Sequence, residues 1–168
     1  MELQEEFERE PPWWRKYVVL ALGIFLLVLV VSSLYSDFIQ GLVSSSVVEG
    51  NVLHFANATV VFENATRERL VGEFVAHQER EIKACFFGSR SGTLYNVTDV
   101  LFPDIARATV VEVVSVPCPK ETLIDVHSHP INRCLASEQD LETYRGMLVQ
   151  SPTVRLMVMC SQTRFALI

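Results

Sequence analysis

The stretch YVVLALGIFLLVLVVSSLYS, residues 17–36, contains no charged side chain. As a helix rising about 1.5 Å per residue it covers roughly 30 Å, the hydrocarbon thickness of a bilayer. It is apolar on all sides, as a membrane span or a fully enclosed helix is. Trp13, Trp14 and Tyr17 gather at one end and Tyr35 lies at the other, where amphipathic rings favour the headgroup level. One N-terminal transmembrane helix is therefore expected. The rival is a cleaved signal peptide, for which Ser32 and Ser33 would supply the small residues. Such a peptide has a shorter apolar region and a basic leader, whereas MELQEEFEREPP is mostly acidic.

Arg15 and Lys16 abut the apolar run, and no lysine or arginine follows it until Arg67. The positive-inside rule then keeps the N-terminus in the cytoplasm and sends the remainder outside. Three sequons (Asn57-Ala-Thr59, Asn64-Ala-Thr66, Asn96-Val-Thr98) and four cysteines (Cys85, Cys118, Cys134, Cys160) all lie beyond the run. Glycosylation requires export, and an oxidising space would tolerate disulfides. A Cys118–Cys134 bridge is disfavoured, because the strand expected between them would hold its ends some 30 Å apart. The net charge of −6 over 168 residues, with no basic block, argues against a surface that tracks nucleic-acid phosphates.

The chain divides into an acidic tail (residues 1–16), the membrane span (17–36), a serine-rich tether (37–50) and one mixed domain (51–168). NVLHFANATVVFEN reads as a strand or hairpin. In ATRERLVGEFVAHQER the apolar period changes: Leu70 and Phe74, and Val71 and Val75, recur four apart, which predicts an amphipathic helix over about residues 66–79. IKACFFGS and TLYNVTDVLF read as a hairpin, ATVVEVVSV and ETLIDVHSHP as further strands. SEQDLETYRGMLVQ is a second helix with Leu141, Tyr144 and Leu148 on one face, and TVRLMVMC and RFALI close the chain as strands. The fold class is α+β, a mixed sheet flanked by helices.

The chemistry concentrates in HSHPINRCLASEQD, residues 127–140. On an extended strand His127 and His129 face the same way and Ser128 faces away. After seven intervening residues, Pro130 to Ala136, come Ser137 and Asp140, at the start of the second helix. Each half has a plain structural reading: a histidine pair on a half-exposed strand, and a capping box. Together they can also form an N,N,O set for zinc, with the fourth position left to water, as hydrolytic zinc requires.

This pattern resembles the JAMM/MPN+ metalloproteases, whose signature joins an upstream glutamate to His-(Ser/Thr)-His-Pro and, at the same spacing, Ser-x-x-Asp. The family's glutamate commonly stands seven residues before a glycine. EIKACFFG places Glu81 in that relation to Gly88, whereas Glu79 has the wrong spacing and Glu73 lies inside the predicted helix. The likeness covers roughly residues 51–168. Ala84 occupies a position where the family usually has glycine.

The resemblance implies an MPN/JAMM-like, cytidine-deaminase-like fold and one zinc ion held by His127, His129 and Asp140. It also implies Glu81 as general base and acid, and Ser137 as donor to the oxyanion. The implied reaction is hydrolysis of an amide, typically an isopeptide bond to a ubiquitin-like C-terminus. Two alternatives compete with this enzyme. One is a non-catalytic, membrane-anchored MPN-like scaffold; the other is a structural zinc site closed by Cys134. His54 and His77 have no partner at ligand spacing and read as structural or surface residues.

Overall fold

A computed structural model describes residues 12–108, 113–129 and 134–168. Most of the acidic tail, the middle of the ATVVEVVSV stretch and the turn after His129 lie outside those residues. The chain separates into two compact units, Met1–Ser36 and Asp37–Ile168.

The apolar run lies in helix α1 (Arg15–Ser44). By length and composition it is the one helix among the described residues that could cross a membrane, and its apolar window is exposed throughout. Near its start Trp13 and Tyr17 meet edge to face, with centroids 5.9 Å apart, and Lys16 lies over the Tyr17 ring. The stretch expected as a tether is helical to Ser44 and then forms strand β1 (Ser45–Val47). The sheet thus recruits residues before Asn51. The physical reason lies at the other end of the chain, where β1 covers the edge of the last strand, which would otherwise present unpaired backbone groups.

The remaining elements are β2 (Val52–Phe55), β3 (Ala58–Phe62), α2 (Asn64–Ala76), β4 (Lys83–Ser91), β5 (Leu94–Leu101), β6 (Ile105–Ala108), β7 (Val113–Ser115), β8 (Ile124–Ser128), α3 (Glu138–Gln150), β9 (Arg155–Met159) and β10 (Arg164–Leu167). Eight strands form one mixed sheet in the order β1-β10-β9-β8-β4-β5-β3-β2, and β6 and β7 pair separately. The β3–β5 and β8–β9 pairs are parallel. The two edges approach each other, the Ser46 hydroxyl donating to the His54 carbonyl, so the sheet nearly closes.

One face of the sheet carries the main core, in which Ala84 and Phe86 of β4, Ile124 and Val126 of β8 and Met157 and Met159 of β9 pack with Leu70 and Phe74 of α2. Leu70 and Phe74 are four apart, which explains why that stretch is helical and which side of it is buried. Gly88 sits at a register shift between β4 and β5 with φ +154, where an added Cβ would collide with the Asn96 carbonyl oxygen. Alternation along β4 and β8 sends Lys83, Cys85, Asp125 and His127 to the opposite face. Those residues are buried as well, which a strand with one wet face would not allow.

Candidate functional site

Five side chains singled out by the sequence converge on that second face. β8 ends at Ser128, and His129 just beyond it is fixed by its amide, which donates to the Met159 carbonyl at 2.9 Å. Glu81 precedes β4 in a segment clamped to the same place. Ser128 N donates to the Ile82 carbonyl at 3.0 Å, and Ile82 N donates to the Ser128 hydroxyl at 2.9 Å. Ser128, pointing away from its neighbouring histidines, therefore holds the glutamate segment against them. Glu81, His127, His129 and Asp140 are all buried.

Asp140 is the hub. Its Oδ1 lies 3.1 Å from His127 Nδ1, and its Oδ2 lies 3.3 Å from His129 Nε2. Glu81 Oε1 stands 3.6 Å from the same His129 nitrogen. The other two glutamates considered from sequence go elsewhere, Glu73 and Glu79 both approaching His77 on the surface. His54 is exposed and outside the cluster.

Ser137 caps α3, and the capping box is complete: Asp140 N donates to Ser137 Oγ at 3.1 Å and Ser137 N donates to Asp140 Oδ2 at 2.8 Å. The Ser137 hydroxyl also donates to Asp140 Oδ2, at 2.7 Å. The cap and the histidine contacts thus use the same carboxylate, and the plain and chemical readings of Ser137 and Asp140 coexist.

The electrostatics follow from burial. Burial pushes His127 towards its neutral form, but hydrogen bonding to Asp125 and Asp140 outweighs it and lifts the pKa to about 9. Burial likewise opposes ionisation of Asp140, yet His127, His129 and Ser137 hold it well below the usual carboxylate range. Two further charges belong to the cluster and were not singled out from sequence. Lys83 Nζ lies 2.9 Å from Asp125 Oδ2, and Asp125 Oδ1 lies 3.2 Å from His127 Nε2. The signal for both was available: Asp125 is two residues from His127 on one strand, and Lys83 is its cross-strand partner. A lysine in a strand, however, reads by default as a solvent-facing residue.

Among the described residues no three His, Cys, Asp or Glu side chains already stand around one point as an assembled metal site; these donors are paired with one another. The donor types are nevertheless those that zinc takes, two imidazoles and a carboxylate, and the Asp140 carboxylate meets a nitrogen of each histidine, at 3.1 and 3.3 Å. His127 Nδ1 is buried, faces Asp140 and has no well-directed hydrogen bond among the described residues. With both histidines neutral, as metal ligands must be, the cluster holds three carboxylates against one ammonium, and a divalent cation would balance it. Cys134 forms a disulfide with Cys160, so it has no thiolate with which to close a structural zinc site.

A scan of family models finds no match to the chain, and a search of curated proteins finds no similar sequence.

Proposed function

We propose that the chain is a membrane-anchored zinc metallopeptidase of the JAMM/MPN+ type, with the MPN/JAMM fold, hydrolysing an amide bond in a protein or ubiquitin-like conjugate. What carries the reading is that Glu81, His127, His129 and Ser137 gather in one largely buried cluster around the Asp140 carboxylate, linked pair by pair. Burying this many ionisable groups is costly unless something is gained from their proximity.

His127, His129 and Asp140 would hold the zinc. When bound, zinc supplies the Lewis acidity that makes water a nucleophile near neutral pH. Glu81 takes the proton from the attacking water and returns one to the leaving amine. Ser137 donates to the oxyanion that develops on the scissile carbonyl, for which its hydroxyl must rotate off Asp140. The cap through Asp140 N does not depend on that hydroxyl proton, so the helix start survives the rotation.

The same reading puts α1 across a membrane with Arg15 and Lys16 on the cytoplasmic side and the catalytic domain outside. The two disulfides, Cys85–Cys118 and Cys134–Cys160, favour that side, because thiols in the cytosol are kept reduced. An exported or surface protein is then the substrate.

The test is metal analysis of the full chain in detergent after zinc reconstitution, with parent, His129→Ala and Glu81→Gln side by side. Parent and Glu81→Gln should each retain one zinc, and His129→Ala none. Comparing membrane and surface proteins of cells carrying parent or Glu81→Gln then identifies the substrate. A parent without bound zinc favours the non-catalytic scaffold.

A further inference from the structure

Asp125 is wholly buried, and the groups that approach its carboxylate are Lys83 and His127. Among the described residues neither of its oxygens has a well-directed hydrogen bond, so charge and position hold it rather than a backbone cradle. Such a pair is a poor device for stability, since an apolar pair of similar volume commonly serves as well or better. Its location suggests another use. It lies on the side of the His127 ring opposite Asp140, Asp125 at 3.2 Å and Lys83 at 3.3 Å from Nε2, while Nδ1 points at Asp140 from 3.1 Å.

We infer that Asp125, held by Lys83, is the positioning residue for His127 in the metal site proposed above, an inference that rests on that reading. An imidazole that gives one nitrogen's lone pair to a cation carries its proton on the other, and that N–H needs an acceptor. Asp125 Oδ1 is the acceptor within reach of Nε2. It selects the tautomer that leaves Nδ1 bare on the side of Asp140 and fixes the plane of the ring. In the opposite tautomer Nε2 accepts from Lys83 and the Nδ1 proton turns to Asp140, so no lone pair faces the cation. Lys83 takes Asp125 Oδ2 and keeps this carboxylate from swinging round as a competing ligand. The strand register sets the arrangement: Lys83 is opposite His127 on β4, and Asp125 precedes it by two on β8, so all three share a face.

The experiment uses the full chain in detergent and zinc alone as the probe. Long-range proton–nitrogen NMR correlations in the zinc-loaded, histidine-labelled parent should find His127 protonated at Nε2. Asp125→Asn should weaken zinc binding about 10–100-fold in a chelator competition, the range for groups that orient a metal-bound histidine. Because a single change leaves Lys83 buried without a counter-charge, a second variant, Lys83→Met/Asp125→Leu, replaces the pair with apolar side chains. It should melt in chelator no earlier than the parent and still lose about 10–100-fold in zinc affinity. If the double variant binds zinc as the parent does, or the parent carries its His127 proton on Nδ1, the inference is wrong while the metal site stands. A parent that takes up no zinc overturns both.

Discussion

In the proposed mechanism Glu81 and His127 are the residues nearest the chemistry, and each makes a distinct prediction. Glu81→Gln keeps the shape of the side chain beside His129 but removes its capacity to take a proton. Zinc content should be unchanged and hydrolysis should fall about 10²–10⁴-fold, the usual contribution of a positioned base; cleavage at the parent rate would remove Glu81 from the mechanism. His127 predicts a pH dependence in the metal-free protein. Its pKa is raised from 6.5 to about 9 on folding, so its contribution to stability is complete below about pH 6.5 and is lost as pH rises through about 9. Asp140 is shifted the other way, and its contribution is lost only in acid. With chelator present, the melting temperature should therefore decline from about pH 6.5 to about pH 9. Zinc at the proposed site would displace the His127 proton, so zinc affinity should climb over the same interval and then level off. A melting temperature indifferent to pH over that range would mean that the His127–Asp140 contact carries no charge.

Among the elements, the two helices and most of the strands were legible in the sequence because their side chains carry a period. Leu70 and Phe74 announced α2, and the alternation around His127 and His129 announced a strand with both rings on one face. β1 was not legible: three residues, Ser45-Ser46-Val47, join the sheet through backbone pairing with β10 and have no side-chain pattern to reveal it. Lys83 and Asp125 escaped for a different reason, since charged residues in a strand make sense at a buried position only when their partners are seen in space. Disulfide pairing was also out of reach, as four cysteines allow three connectivities; the distance argument against Cys118–Cys134 left the observed pairing open. That pairing matters for the site. Cys134–Cys160 spans 26 residues and encloses Ser137, Asp140 and all of α3. Replacing both cysteines with alanine should cost about 3 kcal/mol in urea unfolding, from the entropy regained by the open loop. It should also weaken zinc binding, because Asp140 would be ordered at the expense of binding. Unfolding free energy and zinc affinity equal to the parent's would show that α3 is seated by its packing alone.

For the whole molecule, the proposed orientation draws on two unrelated kinds of physics. Under the positive-inside rule Arg15 and Lys16 would mark the cytoplasmic side, whereas paired cysteines would mark an oxidising compartment. All four cysteines are in the unit Asp37–Ile168 and none is free. A membrane-impermeant maleimide added to intact cells should therefore leave the chain unlabelled. After a membrane-impermeant reductant it should label the chain, reaching first the partly buried Cys118 and only later Cys134 and Cys160, which are enclosed. The sequons give an independent reading of the same orientation. Asn57 is exposed in the turn between β2 and β3, whereas Asn96 is half-buried within β5. A glycan, where the cell attaches one, should be found on Asn57 or on Asn64, which is also exposed, and lost when both are changed to Gln, with its release by glycosidase read as a mobility shift. Labelling that requires permeabilised cells would put the domain in the cytoplasm. The positive-inside argument would then fail, and cytosolic ubiquitin-like conjugates would replace exported proteins as the substrates to test. Labelling of intact cells without reductant would instead keep the domain outside but leave the cysteines unpaired, and the ordering of Asp140 would have to come from the capping box and from the proposed ion.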